Sequence, residues 1–522
     1  MVTLKNILAA LVNPVVFGDS SAEISGITHD SRKVRSGWLF VAMRGELTDG
    51  HDFIPHAINA GASAIMAEKA PRAEFGNVSW VMVPDTRIAL GHAAAAINGS
   101  PTEKLVLVGI TGTNGKTTLT FLMESIIKAA GGFPGVVGTV SHRWGNHEQA
   151  AANTTPEASD LQHLFGRMVD DGVTHAFVEV SSHGLHRGRL EGCEFDLGVF
   201  TNLTQDHLDY HGSFEEYYLA KRVLFRRLLP TSVKKDVAAV MNMDDPYGRR
   251  MASEIRGLPV IGYGISGACD VRPVSVKVDC EGVSGKFQTP RGELQINSRL
   301  AGSFNLMNIL AAIAVSERLN IPTDAIRNGI RAVEVVPGRL ERVQSDRAIA
   351  FVDYAHTPNA LKNVLEALKA MRLTRIVTIM GCGGDRDKTK RPIMGAEAAA
   401  GSDFVIVTSD NPRSEDPVEI IRQVEVGVRD SGFVPLPEAL NGKPLQSGHY
   451  KVIPDRGEAI AWAVRRLSPH DIILVAGKGH ETYQEIKGIH YPFDDRDVLR
   501  EELKKLAAQK NSDSVTREVS EK

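Results

Sequence analysis

The residues LVLVGITGTNGKTT (105–118) carry the strongest single signal in this chain. An apolar run of strand type enters a glycine-rich turn that ends in Lys116 and two threonines. Glycines let backbone N–H groups turn toward an anion, and the positive N-terminus of the following helix adds to the attraction. Lys116 can reach the terminal phosphates, and the Thr117 hydroxyl can ligate Mg²⁺. This stretch predicts a nucleoside-triphosphate site.

The spacing of the loop departs from the common phosphate-binding loop, which has four residues between its first glycine and the Gly-Lys pair. Here Gly109 is one residue too early and Gly112 falls inside the loop. An ordinary strand-to-helix turn would not explain why Gly, Lys and Thr-Thr all occur where phosphate chemistry needs them. We therefore expect seven residues to hold the triphosphate: Gly112, Thr113, Asn114, Gly115, Lys116, Thr117 and Thr118.

Length and composition indicate a multidomain globular protein. A chain of 522 residues is too long for one core, and its 43% apolar and 24% charged residues are ordinary for such proteins. The net charge of −3 gives no indication of nucleic-acid or membrane binding. Because no apolar run reaches the length of a spanning helix, we expect a cytoplasmic protein without membrane insertion. We also expect the protein to be a monomer. Four cysteines lack CxxC spacing and are interpreted as reduced thiols: Cys193, Cys269, Cys280 and Cys382.

Strand-type apolar runs alternate with helical stretches along the whole chain, which is typical of α/β folds. Breaks at Asn98–Pro101 and at Pro337-Gly338 separate the segments. We predict three domains, with a mostly parallel sheet in the central phosphate-loop domain and a Rossmann-like α/β fold in the last one. The predicted ranges are 1–100, 101–337 and 338–508, followed by a polar, flexible tail at 509–522.

Polar residues follow several of the predicted strands. Glu179 ends the run at 176–180, where Mg²⁺ binds in parallel sheets, although a strand-end glutamate can also simply face solvent. His207 lies in TNLTQDHLDYHG (201–212), and we assign it a metal or phosphate role over a structural one. The asparagines of GSFNLMN (302–308) either cap the next helix or contact a base.

Five motifs together resemble those of the Mur ligases, ATP-dependent enzymes that form amide bonds in bacterial cell-wall precursors. The resemblance runs from about Asp30 to Arg496, and the unusual loop spacing is that family's own form. Its motifs are TGTNGKTT (111–118), EVSSHGL (179–185), TNLTQDHLDYHG (201–212), DYAHTP (353–358) and GKGHE (477–481).

The resemblance implies a reaction and a set of site residues. ATP would phosphorylate the D-glutamate γ-carboxylate of UDP-N-acetylmuramoyl-L-alanyl-D-glutamate, and an incoming amine would displace phosphate from the acyl phosphate. Lys116 would act on the phosphates, Thr117, Glu179 and His207 would lie at Mg²⁺, and Lys221 would be carbamylated. Asn305, Arg339 and Asp353 match the adenine and ribose side, and the UDP-muramoyl-peptide side comprises Ser31, Asn153, Thr154, Thr155, Ser181, Arg187 and Arg189. Arg187 departs from relatives that carry glutamine there.

The segment Asp410-Asn411-Pro412-Arg413 discriminates between amino-acid substrates. In the resembling family, DNPR occurs in enzymes that add meso-2,6-diaminopimelate, whereas lysine-adding relatives lack the arginine. A guanidinium binds bidentately the second carboxylate that lysine does not have. Arg386, Gly477 and Glu481 match further amino-acid positions, with Glu481 suited to the ammonium group.

Three other functions fit the sequence less well. A lysine-adding ligase of the same family is disfavoured by Arg413. Folylpolyglutamate synthase lacks the first domain that this chain has. A nucleotide-binding protein without catalysis would have degraded motifs downstream of the phosphate loop, whereas Lys221 and Arg413 are in place here.

Overall fold

The structure is a computed structural model that describes residues 2–45, 48–71, 78–279, 281–345, 348–371, 375–440, 443–469 and 471–520. Cys193, Cys269 and Cys382 are buried free thiols, and the interpretation of Cys280 falls outside the described residues. Within the described ranges, no helix is long and apolar enough to cross a membrane.

The N-terminal sheet has five strands, of which the first in sequence pairs antiparallel and the others are parallel. In spatial order the strands are Val15–Phe17, Ser79–Met82, Ala64–Ala67, Trp38–Val41 and Gly26–Thr28. A two-stranded ladder joins Val2–Thr3 to Glu23–Ile24. The helices of this part are Leu4–Leu8, Ile54–Asn59, Thr86–Ile97 and Pro101–Lys104, with short 3₁₀ turns at Ser31–Lys33 and Gly50–Phe53.

The central sheet has eight strands, parallel except for an antiparallel meander at one edge. In order they are His147–Ala150, Ser141–Trp144, Pro134–Val137, His175–Glu179, Val106–Thr111, Leu197–Phe200, Ala238–Asn242 and Val260–Tyr263. The helices are Lys116–Ala129, Ala158–Asp170, Ser182–His186, Leu208–His211, Phe214–Val223, Leu224–Leu228 (a π-helical turn), Pro246–Glu254, Ser303–Arg318 and Thr323–Ala332.

The helix after the phosphate loop shows why this sequence folds as it does. Leu119, Leu122, Met123, Ile126 and Ile127 recur at intervals of three and four residues, which places them on one face, and all are fully buried. Burying each such side chain contributes roughly 1.5–3 kcal/mol. The packed face fixes the helix against the central sheet, and its first residue, Lys116, is thereby held at the carboxyl edge of the strands.

The C-terminal sheet has seven strands, parallel except for Glu341–Val343 at one edge. The order is Glu341–Val343, Ile349–Asp353, Ile472–Ala476, Ile376–Met380, Phe404–Val407, His449–Val452 and Val434–Pro435. A hairpin of Tyr483–Ile486 and Ile489–Pro492 stands apart from this sheet. The helices are Pro358–Met371, Lys390–Gly401, Pro417–Asp430, Arg456–Val464 and Asp495–Ser520, with a 3₁₀ turn at Glu438–Leu440.

The α/β class with three domains is confirmed, and the exact domain boundaries stay predictions. Three details differ from expectation. The helix expected to follow residues 302–308 instead begins within them, at Ser303. A three-stranded antiparallel sheet at Arg272–Asp279, Gly282–Thr289 and Gly292–Ser298 lies where βαβ units were expected. The backbone of the polar C-terminal segment is helical to Ser520, whereas its flexibility stays a prediction.

Candidate active site

The phosphate loop, residues 112–118, lies at the carboxyl end of strand Val106–Thr111. Gly112 and Gly115 have φ angles of +148° and +89°. A Cβ on Gly112 would lie 1.8 Å from Thr201 Oγ1, and one on Gly115 would lie 2.5 Å from Asn308 Oδ1. Only glycine combines these dihedral angles with this closeness, so at these two positions the backbone itself makes the close contacts.

Two lysines meet at this loop: Lys221 is buried and Lys116 is partly buried. Lys116 Nζ donates to the carbonyls of Gly112 and Thr113 at 2.8 and 2.9 Å, and Lys221 Nζ donates to Gly112 at 3.0 Å. Burial lowers the pKa of Lys116, while the carboxylates of Glu179 and Asp206 oppose that shift. Burial lowers the pKa of Lys221 well below its usual value, and the positive charge of Lys116 lowers it further. The lowered pKa increases the share of Lys221 in the neutral form, which is the form that reacts with CO₂.

Glu179 ends strand His175–Glu179 and is almost fully buried. Its Oε2 accepts hydrogen bonds from the hydroxyls of Thr117, at 3.1 Å, and Thr139, at 2.8 Å. Its Oε1 accepts from the Thr139 backbone N–H at 3.1 Å, and the Thr139 hydroxyl also contacts that of Thr154 at 3.0 Å. These bonds fix a carboxylate and a hydroxyl side by side at the start of the helix.

The oxygen donors of Glu179 and Thr117 fit Mg²⁺, which prefers hard oxygen ligands and keeps several waters or phosphate oxygens. In the part of the chain that the structure describes, no three His, Cys, Asp or Glu side chains converge into a metal-binding cluster. A Mg²⁺ ion at this site would therefore take much of its coordination from nucleotide phosphates and water.

His207 lies across the cleft with a left-handed backbone, φ +54°. Its Nε2 is 3.4 Å from Asp206 Oδ2, and its ring is 4.9 Å from the ring of His183. Burial lowers the pKa of His207, and Asp206 opposes that shift. A histidine in a left-handed conformation beside a carboxylate is a common feature of functional sites.

A cavity of about 340 Å³ lies between the central and C-terminal domains. The phosphate loop and Glu179 form one wall, and Arg339 and Asp353 form the other. Arg339 Nη2 is 3.4 Å from Thr117 Oγ1, and its guanidinium lies 5.0 Å from the Tyr354 ring centre. Burial raises the pKa of Asp353 to about 6, while Arg339 and the backbone N–H groups of Leu340 and Ala355 oppose the shift.

Of the two asparagines at the start of helix Ser303–Arg318, Asn308 lines this cavity and Asn305 does not. Asn305 Nδ2 donates to Ala301 O at 2.7 Å, and its Oδ1 accepts from Asn308 Nδ2 at 3.0 Å. Asn305 therefore positions Asn308, and its predicted contact with the nucleotide stays a prediction.

Four residues predicted for the muramoyl peptide lie in or next to the cavity: Thr154, Thr155, Ser181 and Arg189. Thr155 Oγ1 donates to the Glu179 carbonyl at 2.8 Å and accepts from the Ser181 N–H at 3.0 Å. Arg189 Nη1 donates to Thr155 O at 2.9 Å, and Arg187 Nε donates to the Tyr210 hydroxyl at 3.2 Å. Asn153 is exposed, Thr154 and Ser181 line the cavity, and Ser31 lies on a 3₁₀ turn of the N-terminal domain.

The N-terminal domain reaches this group through the helix Thr86–Ile97, which packs on helix Ala158–Asp170 of the central domain. Ala158 belongs to the same buried cluster as Ala89 and Leu90. The packed contact gives the N-terminal domain a defined place beside the central one.

The loop Asp410–Arg413 lies at the carboxyl end of strand Phe404–Val407, outside the cavity. Asn411 Nδ2 donates to Glu481 Oε2 at 2.7 Å, and the fully buried Lys478 donates to both Asn411 Oδ1 and Glu481 Oε2, at 3.0 and 3.1 Å. Gly477 adjoins this network, since a Cβ there would lie 2.7 Å from Asp410 Oδ2. The predicted residues Asp410, Asn411, Gly477 and Glu481 are thus brought together.

Arg413 continues this loop with a left-handed backbone, φ +52°. Its Nη1 donates to Gly384 O at 2.8 Å and its Nε to Glu485 Oε2 at 3.1 Å. Arg386 lies on the neighbouring Gly383–Asp387 segment and is exposed, with its Nη1 3.4 Å from Asp385 O. Two guanidinium groups therefore lie on adjoining loops.

Sequence reasoning missed several residues that shape the site. Thr139 holds Glu179, and Asn202 Oδ1 accepts from the Asn114 N–H of the phosphate loop at 2.8 Å. Lys478 was overlooked although the GKGHE motif contains it, because a lysine in a glycine-rich loop gives no sign of burial. Glu485 had no signal in the sequence, since only the hairpin register places it beside Arg413.

Family models match the three parts of the chain in order. The Mur ligase family catalytic domain matches residues 23–98, the Mur ligase middle domain matches 110–316, and the Mur ligase glutamate ligase domain matches 338–479. The chain therefore belongs to the Mur ligase family, and it is an ATP-dependent ligase.

Two similar proteins and one solved structure carry the name of a single kind of Mur ligase. A Geobacter metallireducens protein is 47% identical over 96% of this chain and 98% of its own length, and one from Geobacter sulfurreducens is 44% identical over 97% and 99%. Both are named UDP-N-acetylmuramoyl-L-alanyl-D-glutamate–2,6-diaminopimelate ligase, as is a solved structure with 32% identity and a TM-score of 0.68 that covers 97% of this chain and 99% of its own.

Folylpolyglutamate synthase from Mycobacterium tuberculosis, solved with ADP and AMPPCP, shares the fold at 20% identity and a TM-score of 0.60. The structural alignment covers 92% of that chain but 75% of this one. About a quarter of the present chain has no counterpart there, which disfavours that alternative.

Proposed function

We propose that this chain adds meso-2,6-diaminopimelate to the D-glutamate γ-carboxylate of UDP-N-acetylmuramoyl-L-alanyl-D-glutamate, with ATP and Mg²⁺, in peptidoglycan precursor synthesis. The observation that carries the proposal is that a phosphate loop in the interdomain cavity and a guanidinium-bearing DNPR loop in the C-terminal domain occur in one chain. The names of the relatives at 47% and 44% identity support the same substrates.

The reaction needs an activated carboxylate, since an ionised carboxylate resists attack by an amine at neutral pH. The γ-carboxylate of the substrate attacks the terminal phosphorus of ATP, which forms an acyl phosphate and ADP. The amine of diaminopimelate then attacks the acyl carbon, loses a proton, and inorganic phosphate leaves as the amide forms. The work left to the protein is positioning and charge neutralisation.

Residues of the phosphate loop supply that neutralisation. Backbone N–H groups of 112–118 and the Lys116 ammonium would exchange their contacts within the loop for phosphate oxygens. Thr117 and Glu179 would hold Mg²⁺, with His207 nearby, and the ion supplies charge neutralisation on the phosphates when it is bound. Asp353, Arg339 and Asn305 are assigned to the adenine and ribose side.

Lys221 is proposed to carry a carbamate. A neutral amine takes up CO₂ and releases one proton, which gives an N-carboxylate anion, and the lowered pKa of Lys221 favours the neutral form. The anion would offset the positive charge of Lys116 in the same buried space. The carbamate thus replaces a repulsion between two amines by an attraction.

The muramoyl peptide is assigned to Ser31, Asn153, Thr154, Thr155, Ser181, Arg187 and Arg189. Diaminopimelate is assigned to Arg386, Asp410, Asn411, Pro412, Arg413, Gly477 and Glu481. The bonds from Thr155 to both the Glu179 carbonyl and Ser181 link the first group directly to the metal side. This linkage supports a muramoyl-peptide site next to the nucleotide site.

The test is phosphate release from ATP in the presence of UDP-N-acetylmuramoyl-L-alanyl-D-glutamate, with meso-diaminopimelate or L-lysine as the amine. We expect release with diaminopimelate and little with lysine. Equal release with lysine would retain the ligase and refute the substrate assignment, and no release with either amine would refute the whole proposal.

A further inference from the structure

Arg391, in the first turn of helix Lys390–Gly401, has a fully buried side chain. Its two terminal nitrogens donate to the two oxygens of Glu415, Nη1 to Oε2 at 3.0 Å and Nη2 to Oε1 at 2.8 Å. Two parallel bonds of this kind fix the angle as well as the distance between an arginine and a carboxylate. The same guanidinium donates to Gln423 Oε1 at 2.9 Å and to Gly383 O at 3.2 Å. Arg391 therefore joins the loop at residue 383 to the segment that contains Glu415.

Glu415 lies two residues after Arg413 and extends this connection back to the Gly383–Asp387 segment. Its Oε1 also accepts from the Asp385 N–H at 2.7 Å. The hydrogen bonds from Arg391 lower the pKa of Glu415 to about 2, so the carboxylate keeps its charge at neutral pH. One ionised carboxylate thus binds the buried arginine on one side and the backbone of the Gly383–Asp387 segment on the other.

The Gly383–Asp387 segment and the DNPR loop are packed backbone against backbone. The Gly384 N–H donates to Asn411 O at 2.8 Å, and Gly384 passes so close to Pro412 O that a Cβ would not fit. Asp385 Oδ1 accepts from the Ser414 hydroxyl at 2.6 Å. A displacement of either loop would therefore displace the other.

Stability alone gives a poor account of the pair formed by Arg391 and Glu415. Taking two charges out of water costs free energy that their attraction often only balances, and apolar side chains of similar volume can replace such a pair without loss. Apolar side chains cannot, however, supply directional bonds to the backbone of a loop. The pair bonds to the loop that carries Arg386, and Glu415 itself continues the loop that carries Arg413.

Resting on the proposed function, we infer that Arg391 is a positioning residue for diaminopimelate, which acts through Glu415 to fix the relative positions of Arg386 and Arg413. Arg391 does not touch the substrate, because its side chain has no exposed surface. Diaminopimelate has two carboxylates, so the placement of two guanidinium groups relative to each other matters for its binding. A displacement of about 1 Å can cost about 100-fold in rate even when its cause lies far from the reacting atoms.

The first experiment measures phosphate release by Arg391→Lys in the full chain. Lysine keeps the positive charge but cannot form two parallel bonds to Glu415. We expect kcat/KM for meso-diaminopimelate to fall about 100-fold, with the larger part of the change in KM, because the two loops shift. KM for ATP and for the UDP-muramoyl peptide should change less than about twofold, since their proposed binding residues do not depend on this displacement.

Arg375→Lys is the matched control. Arg375 donates to Asp471 in the same two-bond arrangement, Nε to Oδ1 at 3.2 Å and Nη2 to Oδ2 at 2.6 Å, and the Asp471 side chain is 2% exposed. This pair lies at the amino end of strand Ile376–Met380, whereas the two loops follow the carboxyl ends of their strands. Arg375→Lys should lower Tm as Arg391→Lys does, and it should leave all three KM values unchanged.

Arg391→Met combined with Glu415→Leu separates positioning from stability. The two apolar side chains leave no unpaired charge, so Tm should recover relative to Arg391→Lys. The value of kcat/KM for diaminopimelate should not recover, because the bonds to Gly383 O and to the Asp385 N–H are absent from this variant as well.

Recovery of both Tm and kcat/KM in the double variant would overturn the inference, because Arg391 would then only stabilise the fold. Wild-type kinetics in Arg391→Lys, or an equal rise of all three KM values, would overturn it as well. In each case the wild-type enzyme still uses diaminopimelate, so the proposed function survives. A wild type that releases no phosphate with diaminopimelate refutes the proposed function, and this inference falls with it.

Discussion

The basic side chains of the phosphate loop and of the DNPR loop have different kinds of hydrogen-bond partner. Among the described residues, Lys116 and Lys221 donate to neutral backbone carbonyls at the phosphate loop. At the DNPR loop, Lys478 and Arg413 are paired with the carboxylates of Glu481 and Glu485. In the described part of the chain, neither lysine of the first region forms an ion pair, whereas each of these cations of the second region is paired with a carboxylate.

The difference matches the ligands proposed for each region. ATP brings several negative charges, so cations bound only to carbonyls gain strongly when phosphates arrive. An amino acid is a zwitterion with no large net charge, so a balanced set of fixed charges recognises it by geometry. Substitutions at the phosphate loop should therefore lower the turnover rate. Substitutions at the DNPR loop should instead change which amine the enzyme uses.

The largest effect is expected on the amino-acid side. Arg413→Ala should lower kcat/KM for meso-diaminopimelate by about 10⁴, because a site built to bind a polar group loses its partner. Arg413→Lys should also be impaired, since an ammonium cannot bind a carboxylate bidentately. ATP affinity should not change, as measured by titration with a nonhydrolysable analogue. Arg422→Ala is the control, and wild-type kinetics in Arg413→Ala would refute the assignment.

On the nucleotide side, Lys116→Ala should lower kcat by about 10³, because a cation that stabilises charge on the transferred phosphoryl group is removed. The preference for diaminopimelate over lysine should stay the same in whatever activity remains. Lys128→Ala, at an exposed position on the same helix, is the matched control. A loss of amine selectivity in Lys116→Ala would contradict the separation of the two regions.

Lys221→Ala should lower kcat by about 10² if the lysine acts as a carbamate. Short carboxylates such as acetate or formate should then restore part of the activity, because they replace the missing anion. Removal of dissolved CO₂ should inhibit the wild type and leave the variant unchanged. If carboxylates give no rescue and CO₂ has no effect, Lys221 acts as an amine and carbamylation is refuted.

Much of the fold and part of the site could be predicted from sequence, for identifiable reasons. Parallel strands that are buried on both faces appear in the sequence as apolar runs. The strand His175–Glu179 was therefore predicted, as the run 176–180, within one residue. The sheet at 272–298 was missed because few of its residues form buried apolar runs. In the strand Gly292–Ser298 buried and exposed residues alternate, and this alternation was not compared with the apolar runs of the surrounding segments.

The phosphate loop could be predicted from the sequence because its glycine, lysine and threonine residues lie within a few positions of one another. The amino-acid side depends on contacts between distant segments. Glu485 meets Arg413 across 72 positions of the chain, and Lys478 meets Asn411 across 67. The family resemblance supplied Arg413 and Glu481, but neither spacing nor composition points to Glu485.

The smallest expected effect concerns Asp353, which lies between the two regions. Burial raises its pKa from 3.8 to about 6, so the folded protein binds this proton more tightly than the unfolded chain does. Stability from this group is therefore greatest at low pH and is lost as the pH rises toward 6 and above. Between pH 5 and 7.5 the loss should be roughly 1 kcal/mol.

Asp353→Asn removes the titration and keeps an acceptor oxygen for the Leu340 N–H, which now donates to Asp353 Oδ2 at 2.6 Å. The difference in Tm between wild type and variant, followed from pH 5 to 7.5, isolates this group from the other titrations. The wild type should lose stability relative to Asp353→Asn as the pH rises. A constant difference would mean that Asp353 is already ionised in the fold at pH 5, and Arg339 would then outweigh burial. The second wall of the cleft would in that case resemble the DNPR loop, where cations and carboxylates balance, rather than the phosphate loop that it faces.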